Sequence, residues 1–159
     1  MDAKIRNALE TDFKYVSSLA NQIQSLYHGF RPYFYRQNDN VMSKEYYLSM
    51  LNDKEKHSIF VLVYNNEIIG YSICNKLVFE DNPIIADSKI YLIDTMCISE
   101  KFQGKGFGTI FINEIKKYAQ KEMFDIIQLN VDCKNINAIS FYKKNGFDEI
   151  SKKMFIRLR

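Results

Sequence analysis

The 159-residue sequence has little of several residue types on which particular folds and sites depend. It has no tryptophan, two prolines, two histidines and three cysteines. Cys74, Cys97 and Cys133 are odd in number and widely spaced, which disfavours both a disulfide framework and a zinc site. His28 and His57 lie far apart and do not have the spacing of metal ligands. We therefore expect no bound metal.

Long apolar runs and a strong net charge are also missing. No stretch approaches the roughly 20 apolar residues that a membrane-spanning helix needs. The first residues lack the basic and then apolar pattern of a signal peptide. The net charge is +3, with both signs interspersed, which is too mild to favour nucleic-acid binding. These absences predict a cytoplasmic protein with no membrane or nucleic-acid partner.

The sequence does contain enough apolar material for one hydrophobic core. Hydrophobic residues make up 47% of the chain and aromatic residues 14%, and the length suits a single domain over residues 1–159. Apolar periodicities predict seven strands, at residues 4–8, 58–64, 67–79, 90–98, 125–132, 147–150 and 153–158. They also predict four helices, which begin near Phe13, Lys44, Phe107 and Asn135. This order predicts an α/β or α+β class with a mixed sheet.

The most informative stretch is residues 90–121, where a strand leads through a glycine-rich turn into a helix. Gly104, Gly106 and Gly108 occupy alternate positions in the turn. The first turn of a helix has backbone N–H groups without partners, and the helix dipole adds positive charge there. Glycines let this backbone approach a phosphate closely. The stretch therefore predicts a phosphate or pyrophosphate site near residues 104–109.

Spacing separates the kinds of phosphate site that use such a turn. A Walker loop needs a lysine and a hydroxyl residue after its last glycine, whereas Gly108 is followed by Thr109 and Ile110. A dinucleotide fingerprint needs a glycine where Thr109 stands. The pattern Gln103-x-x-Gly106-x-Gly108 resembles the acetyl-CoA loop of the GNAT superfamily of N-acetyltransferases. Taken alone, it leaves a ligand-free glycine turn as an alternative.

A second pattern follows at the family's usual distance. Residues 135–147 resemble the GNAT pattern N-x-x-A-I-x-x-Y-x-x-x-G-F, with Asn135, Tyr142 and Gly146 at three of its fixed positions. The resemblance covers residues 4–155. It implies the GNAT fold, a mixed and strongly twisted sheet of about seven strands flanked by four helices. The sheet is expected to splay into a V between its fourth and fifth strands.

The resemblance also implies an activity, an acetyl-CoA-dependent N-acetyltransferase that moves acetyl directly to a primary amine. In this family the end of the central strand pairs with the pantetheine amides, which here implies Met96, Cys97 and Ile98. The glycine turn would bind the pyrophosphate through Gln103, Gly104, Lys105, Gly106, Phe107, Gly108 and Thr109. Asn135 would contact the pantetheine or hold the loop after the fifth strand.

Two residues are candidates for proton transfer. Tyr142 matches the family's general acid, which protonates the leaving thiolate, and packing of its helix is the alternative role. Asp94 stands where many members carry a carboxylate. A carboxylate inside an apolar strand needs a reason, either activating the amine or making a structural hydrogen bond.

The acceptor is less well defined. The resemblance places its wall at the opening helices, which implies Tyr27, His28, Arg31, Tyr33 and Phe34, with Asp94 at the base. The acceptor is then an amine of a small molecule, peptide or protein, and a homodimer is compatible with the family. Two other functions stay open, a CoA-binding module without catalysis and a nucleotide-binding regulator that uses the same turn.

Overall fold

One five-stranded sheet organises the chain, and the computed structural model describes it over residues 2–159. The strands β1 to β5 are Ala3–Asn7, His57–Tyr64, Glu67–Phe79, Ser88–Ile98 and Ile126–Leu129. They lie side by side in chain order, and each pair is antiparallel except β4 and β5, which are parallel. The helices α1 to α4 are Phe13–Phe30, Lys44–Asn52, Phe107–Lys121 and Ile136–Lys144.

The predicted mixed sheet and four helices are confirmed, with the same order of elements. Ser43 caps α2 by accepting a hydrogen bond from the Tyr46 N–H, because its hydroxyl meets a backbone donor that has no partner in the helix. Asn65 and Asn66 make the turn between β2 and β3 with φ of 48° and 61°. Asparagine tolerates this left-handed conformation better than most residues.

The two last predicted strands, residues 147–150 and 153–158, are wrong, so the sheet has five strands rather than seven. Residues 148–159 have no regular secondary structure. Strand-forming side chains need a neighbouring strand to pack on, and this segment contacts the end of α1 instead, where Phe155 packs on Tyr33. Met154, Ile156 and Leu158 are between 81% and 89% exposed as a result.

The sheet has a separate hydrophobic core on each face. On one face α1 and α2 cover the sheet, with Val16, Leu19 and Tyr47 buried. On the other face α3 buries Phe111 and Ile115 against β2, β3 and β4. Both α1 and α3 show the apolar stripe at i, i+3 and i+4 that packing against a sheet needs. Within residues 2–159 no helix is both long and apolar enough to cross a membrane.

Candidate active site

The parallel pairing of β4 and β5 is short, and we call the unpaired β5 side of residues 94–98 the cleft. The two strands pair only from Ile90 with Ile126 to Ile93 with Leu129, although β4 continues to Ile98. The last five residues of β4 therefore have no strand on their β5 side. The fourth and fifth strands therefore stop pairing beside the residues to which the resemblance assigned the pantetheine.

Hydrogen bonds to β3 show which backbone groups face this cleft. The Thr95 carbonyl accepts a bond from the Ser72 hydroxyl at 2.9 Å, and the Ser99 N–H donates to the Ile69 carbonyl at 2.8 Å. Successive residues of a strand point their backbone groups to opposite sides. Met96 and Ile98 therefore face the cleft, whereas the backbone of Cys97, between them, faces β3.

Asp94 forms a β-bulge in β4. Ile73 is opposite Thr95 and Cys74 is opposite Ile93, so Asp94 has no partner of its own. An extra residue reverses the alternation of side chains beyond it. Ile93 accordingly packs in the core between the sheet and α3, and Cys97 packs in the core on the opposite face, which α1 and α2 cover.

The Asp94 carboxylate itself is exposed and accepts a hydrogen bond from the Thr95 hydroxyl at 3.2 Å. The bulge thus places the one acidic side chain in the middle of β4 outside both cores. The structural hydrogen bond that the sequence offered as an alternative, from Asp94 to the opening helices, is not among the described contacts. The position is compatible with a base.

The glycine turn leaves helix donors free next to the end of β4. Gly104 and Gly106 have left-handed φ of 72° and 85°, and Gly106 is the residue before α3. The first helical bond of α3 runs from Ile110 N–H to the Gly106 carbonyl. The N–H groups of residues 107–109 consequently have no partner within the helix, as an anion site requires.

Three predicted loop residues have additional structural contacts. A Cβ on Gly108 would lie 3.0 Å from the Phe141 ring, so this glycine lets α3 and α4 approach. The Lys105 ammonium donates to the Lys101 carbonyl at 2.8 Å and does not extend over the turn. The Gln103 amide donates to the Ile98 carbonyl at 2.9 Å.

Tyr142 lies in α4 and is half-buried. The Tyr142 ring contacts the rings of Phe141 and Phe147, whose centroids lie 5.1 and 5.5 Å from its own. Burial is the main cause that raises the pKa of Tyr142, and the nearby Tyr27 adds to it. The phenol therefore stays protonated at neutral pH and keeps a proton to donate. Asn135 caps the same helix by accepting a bond from the Ala138 N–H at 3.1 Å.

Tyr71 is a buried neighbour of Cys97 that the sequence analysis did not single out. It lies on β3 opposite Cys97 and is 1% exposed. Burial raises the pKa of Tyr71 most, and Cys97, Asp94 and Tyr27 raise it further. Tyr71 and Cys97 thus lie side by side in the core that α1 and α2 cover. The available signal was the position of Tyr71 directly after Gly70, because a glycine inside a strand often marks a close approach of another backbone.

The cysteines next to the cleft are not poised as nucleophiles. Burial raises the pKa of Cys97 to about 12, with a further contribution from Glu100. Burial also raises the pKa of Cys74 to about 11. Both stay as thiols at neutral pH, and a thiol is a far weaker nucleophile than a thiolate. An acetyl-cysteine intermediate is therefore disfavoured at these two residues.

The predicted acceptor residues come together at the end of α1. The Tyr27 ring stacks on Tyr35 at 5.2 Å, and His28 Nδ1 lies 2.7 Å from the Tyr35 carbonyl oxygen. Tyr33 and Phe34 are exposed. Arg31 does not project freely, because its guanidinium binds Asp132. The aromatic residues, rather than Arg31, are thus available to a ligand.

A separate cavity of about 480 Å³ lies at the other end of β3 and β4, lined by Val78, Glu80, Asp81 and Asp125 among others. It shares no residue with the cleft beside Ile98.

Within residues 2–159 no three histidine, cysteine or acidic side chains are grouped as metal ligands would be.

The GNAT resemblance implied three parts of this site: a cleft along one strand, a helix N-terminus at the end of that cleft, and a helix beside it that carries Tyr142. The model of the acetyltransferase (GNAT) family matches residues 23–147. The chain belongs to the GNAT family of acetyltransferases.

Individual GNAT relatives show the same relationship. An uncharacterized N-acetyltransferase of Methanocaldococcus jannaschii is 29% identical over 123 residues, which are 77% of this chain and 52% of that protein. A probable N-acetyltransferase of Drosophila melanogaster is 30% identical over 110 residues, 69% of this chain and 55% of that protein. This GNAT chain spans about half the length of these two curated relatives.

Among solved structures, the crystal structure of a mutant Bacillus halodurans protein has a TM-score of 0.93 with this GNAT chain. The two are 24% identical, and the match covers 98% of this chain and 99% of that one. At this level of identity the comparison shows a common fold.

Proposed function

We propose that this chain is an N-acetyltransferase that uses acetyl-CoA and transfers acetyl directly to a primary amine. One observation carries the proposal: the Met96 backbone and the Ile98 N–H have no strand partner on the β5 side, and Gln103, three residues before the Gly106 N-cap of α3, donates to the Ile98 carbonyl and so joins the glycine turn to the end of β4. Pantetheine is a chain of amides that can add to a strand edge, and it is joined to a pyrophosphate that fits a helix N-terminus. The two features occur in the order that acetyl-CoA needs.

We assign the proton transfers of the reaction to two residues. Asp94 takes one proton from the ammonium form of the amine, directly or through water. The amine nitrogen attacks the thioester carbonyl carbon, a C–N bond forms and the C–S bond breaks. Tyr142, whose pKa is raised by burial, gives its proton to the leaving CoA thiolate, and the second proton that the nitrogen loses returns through water to the Tyr142 phenolate. A backbone N–H on the cleft side of β4 stabilises the developing oxyanion.

The acceptor site is aromatic, with one carboxylate. Tyr27 near the end of α1, Tyr33 and Phe34 in the turn after it, and Asp94 favour an amine that binds as a cation before it loses its proton. Arg31 is neutralised by Asp132, which disfavours a free amino acid that would need Arg31 for its carboxylate. We propose an amine of a small molecule, peptide or protein without a carboxylate next to it.

The first test is the thermal stability of the purified chain with acetyl-CoA, CoA, ATP or NAD. A ligand at about 100 times its dissociation constant stabilises the fold by roughly 2.7 kcal/mol. We expect acetyl-CoA and CoA to raise the melting temperature and ATP and NAD to leave it unchanged. A larger shift with ATP or NAD would favour the nucleotide-binding regulator and overturn the proposal.

The second test is turnover, measured as thiol released from acetyl-CoA in the presence of a panel of amines. Release that depends on an amine supports the transferase. Binding of acetyl-CoA with only a background thiol release, which no amine increases and which changing Tyr142 to Phe leaves unchanged, would favour the non-catalytic CoA-binding module.

A further inference from the structure

Gln22 of α1 reaches across to the end of β4. Its amide nitrogen donates to the Ile98 carbonyl at 3.0 Å and lies 3.3 Å from the Cys97 sulfur. Its amide oxygen accepts from the Glu100 N–H at 3.2 Å. One side chain thus holds both the last residue of β4 and the start of the turn that leads to the glycines.

The contact between Gln22 and the Ile98 carbonyl lies on the cleft side of β4. The Ile98 carbonyl faces the cleft, and it accepts hydrogen bonds from two amides, those of Gln22 and Gln103. A carbonyl oxygen has two lone pairs, so this acceptor is fully used. A ligand that adds to the edge of β4 therefore finds the groups of Met96 and the Ile98 N–H, but no acceptor at Ile98.

We infer that Gln22 is a positioning residue for acetyl-CoA, an inference that rests on the proposed function. By occupying the Ile98 carbonyl, the amide limits the positions along β4 at which the pantetheine amides can pair. By holding the Glu100 N–H, it fixes the turn that connects this strand to the pyrophosphate site. Both contacts come from α1, which also carries the aromatic acceptor wall at its end.

A neutral amide is suited to this position, because it donates and accepts at once without bringing a charge between the two cores. Glutamate at position 22 keeps an oxygen for the Glu100 N–H but has no donor for the Ile98 carbonyl. Alanine removes both bonds. Gln22→Glu therefore tests whether losing the strand contact alone, with the turn contact kept, is enough to weaken binding, and Gln22→Ala tests the loss of both.

Gln24 provides a matched control on the same helix. It is also half-buried, and its amide donates to the Arg36 carbonyl rather than to β4. Gln24→Ala removes the same side chain and a comparable hydrogen bond, with no contact to the strand or the turn. It is expected to leave the KM for acetyl-CoA unchanged.

The experiment measures kcat, the KM for acetyl-CoA and the acceptor KM, together with the Kd for acetyl-CoA by calorimetry. Losing one or two neutral hydrogen bonds that organise a site corresponds to about a 5- to 30-fold weaker affinity. We expect Gln22→Ala to raise the Kd and the KM for acetyl-CoA by this factor, with the acceptor KM unchanged and kcat at saturation nearly so. Gln22→Glu should weaken binding at least as much.

The outcomes distinguish this inference from the proposed function. If the unmodified chain does not bind acetyl-CoA, the proposed function fails. If it binds, and Gln22→Ala binds as tightly as Gln24→Ala, Gln22 has no positioning role and the proposed function stands. A loss in kcat alone, at unchanged acetyl-CoA affinity, would also overturn the inference. A folded Gln22→Glu variant keeps the test valid if Gln22→Ala does not fold.

Discussion

The Arg31 guanidinium lies 2.6 and 2.5 Å from the two carboxylate oxygens of Asp132, a residue 101 positions later in the chain. The two side chains are 12% and 10% exposed. Arg31 follows α1, and Asp132 lies in the loop between β5 and α4. The Lys134 ammonium adds a second link by donating to the Phe30 carbonyl at 2.7 Å. The pair thus ties the acceptor side of the cleft to the loop that leads to Tyr142.

Removing the Arg31–Asp132 pair should lower activity by misplacing α4 relative to the acceptor wall. Misplacement of a catalytic group by about 1 Å costs on the order of 100-fold in rate, so we expect a 10- to 100-fold lower kcat/KM for Arg31→Ala and for Asp132→Asn. The double variant should be no worse than either single one, because the two act as a unit. Thiol-release kinetics on the three proteins measure this. Additive losses would contradict the shared role.

The exposed ion pair between Lys143 and Glu149 is the control for that experiment. Its atoms are 2.7 Å apart, but the two side chains are 56% and 54% exposed. Solvent-exposed pairs contribute little, so Lys143→Ala should leave kcat/KM unchanged.

Tyr142→Phe should lower kcat while leaving the Kd for acetyl-CoA unchanged. General acid catalysis typically contributes about 100-fold or more, and phenylalanine keeps the ring contacts with Phe141 and Phe147. Thiol release at saturating substrates and calorimetry with acetyl-CoA measure the two quantities. Tyr46→Phe, on the exposed face of α2, is the control. An unchanged kcat would leave Tyr142 with a packing role only.

Asp94→Asn should lower kcat/KM most at pH values where the acceptor amine is protonated. There the amine must lose a proton before attack, and general base catalysis contributes about 100-fold to the rate. As the pH rises and the free amine becomes plentiful, the variant should approach the unmodified enzyme. The pH–rate profiles of both proteins test this. Asp87→Asn, at the other end of the β3–β4 hairpin, should show no such effect, and a parallel profile for Asp94→Asn would remove it as the base.

Gly70→Ala should both destabilise the fold and weaken acetyl-CoA binding. A Cβ at this position would lie 2.8 Å from the Cys97 carbonyl oxygen and 2.7 Å from the Ile98 side chain. Overpacking of this kind costs about 1–3 kcal/mol, and relief requires the end of β4 to move. Urea unfolding and calorimetry with acetyl-CoA measure the two effects.

Gly29→Ala is the opposite case, because no atom lies within 4 Å of a Cβ there. In a helix, alanine should stabilise by about 0.5–1 kcal/mol relative to glycine. Equal effects of the two substitutions would contradict the close approach at Gly70.

The Arg6–Asp12 pair predicts a pH-dependent stability. The Arg6 guanidinium is the main cause that holds the pKa of Asp12 below its usual range; burial opposes the shift and the Leu9 N–H supports it. A carboxyl with a lowered pKa in the folded state stabilises above its unfolded pKa of about 4 and loses that effect as the pH falls through the folded value. Asp12→Asn should therefore be less stable at pH 7, with a gap that narrows as the pH falls below the unfolded pKa of about 4.

Urea unfolding of the two proteins from pH 7 downward measures the gap. Glu10→Gln is the control, because Glu10 and its ion-pair partner Lys44 are both more than half exposed. A gap for Asp12→Asn that is constant with pH would show that its charge is not involved.

Much of the fold was predictable because it depends on contacts close in sequence. The alternation of β2 and β3 with two asparagines between them predicted a hairpin, and the stripe of α3 with three glycines before it predicted a strand, turn and helix. The spacing of Gln103, Gly106 and Gly108, followed by the pattern around Tyr142, identified the family. Each of these signals rests on backbone conformations that neighbouring residues fix among themselves.

Contacts across the molecule decided the rest. Which residue of β4 bulges depends on the register with β3, so the outward position of Asp94 was not readable from β4 alone. From the sequence, Arg31 could bind either a ligand or a carboxylate of its own chain. In the structure Arg31 binds Asp132, because the loop between β5 and α4 approaches it. Residues 153–158 have the composition of a strand but meet no strand edge to pair with. Gln22 reaches Ile98 only because α1 packs on that face of the sheet.

The sequence by itself therefore determined the local elements, their order and the family, since propensity, turn chemistry and motif spacing act over a few residues. The tertiary structure decided which polar side chains face one another, because hydrogen bonds and ion pairs between distant residues depend on distances that only packing sets. The division is visible within one helix: the apolar stripe of α1 was legible in advance, whereas the partners of Gln22 and of Arg31 at its end were not.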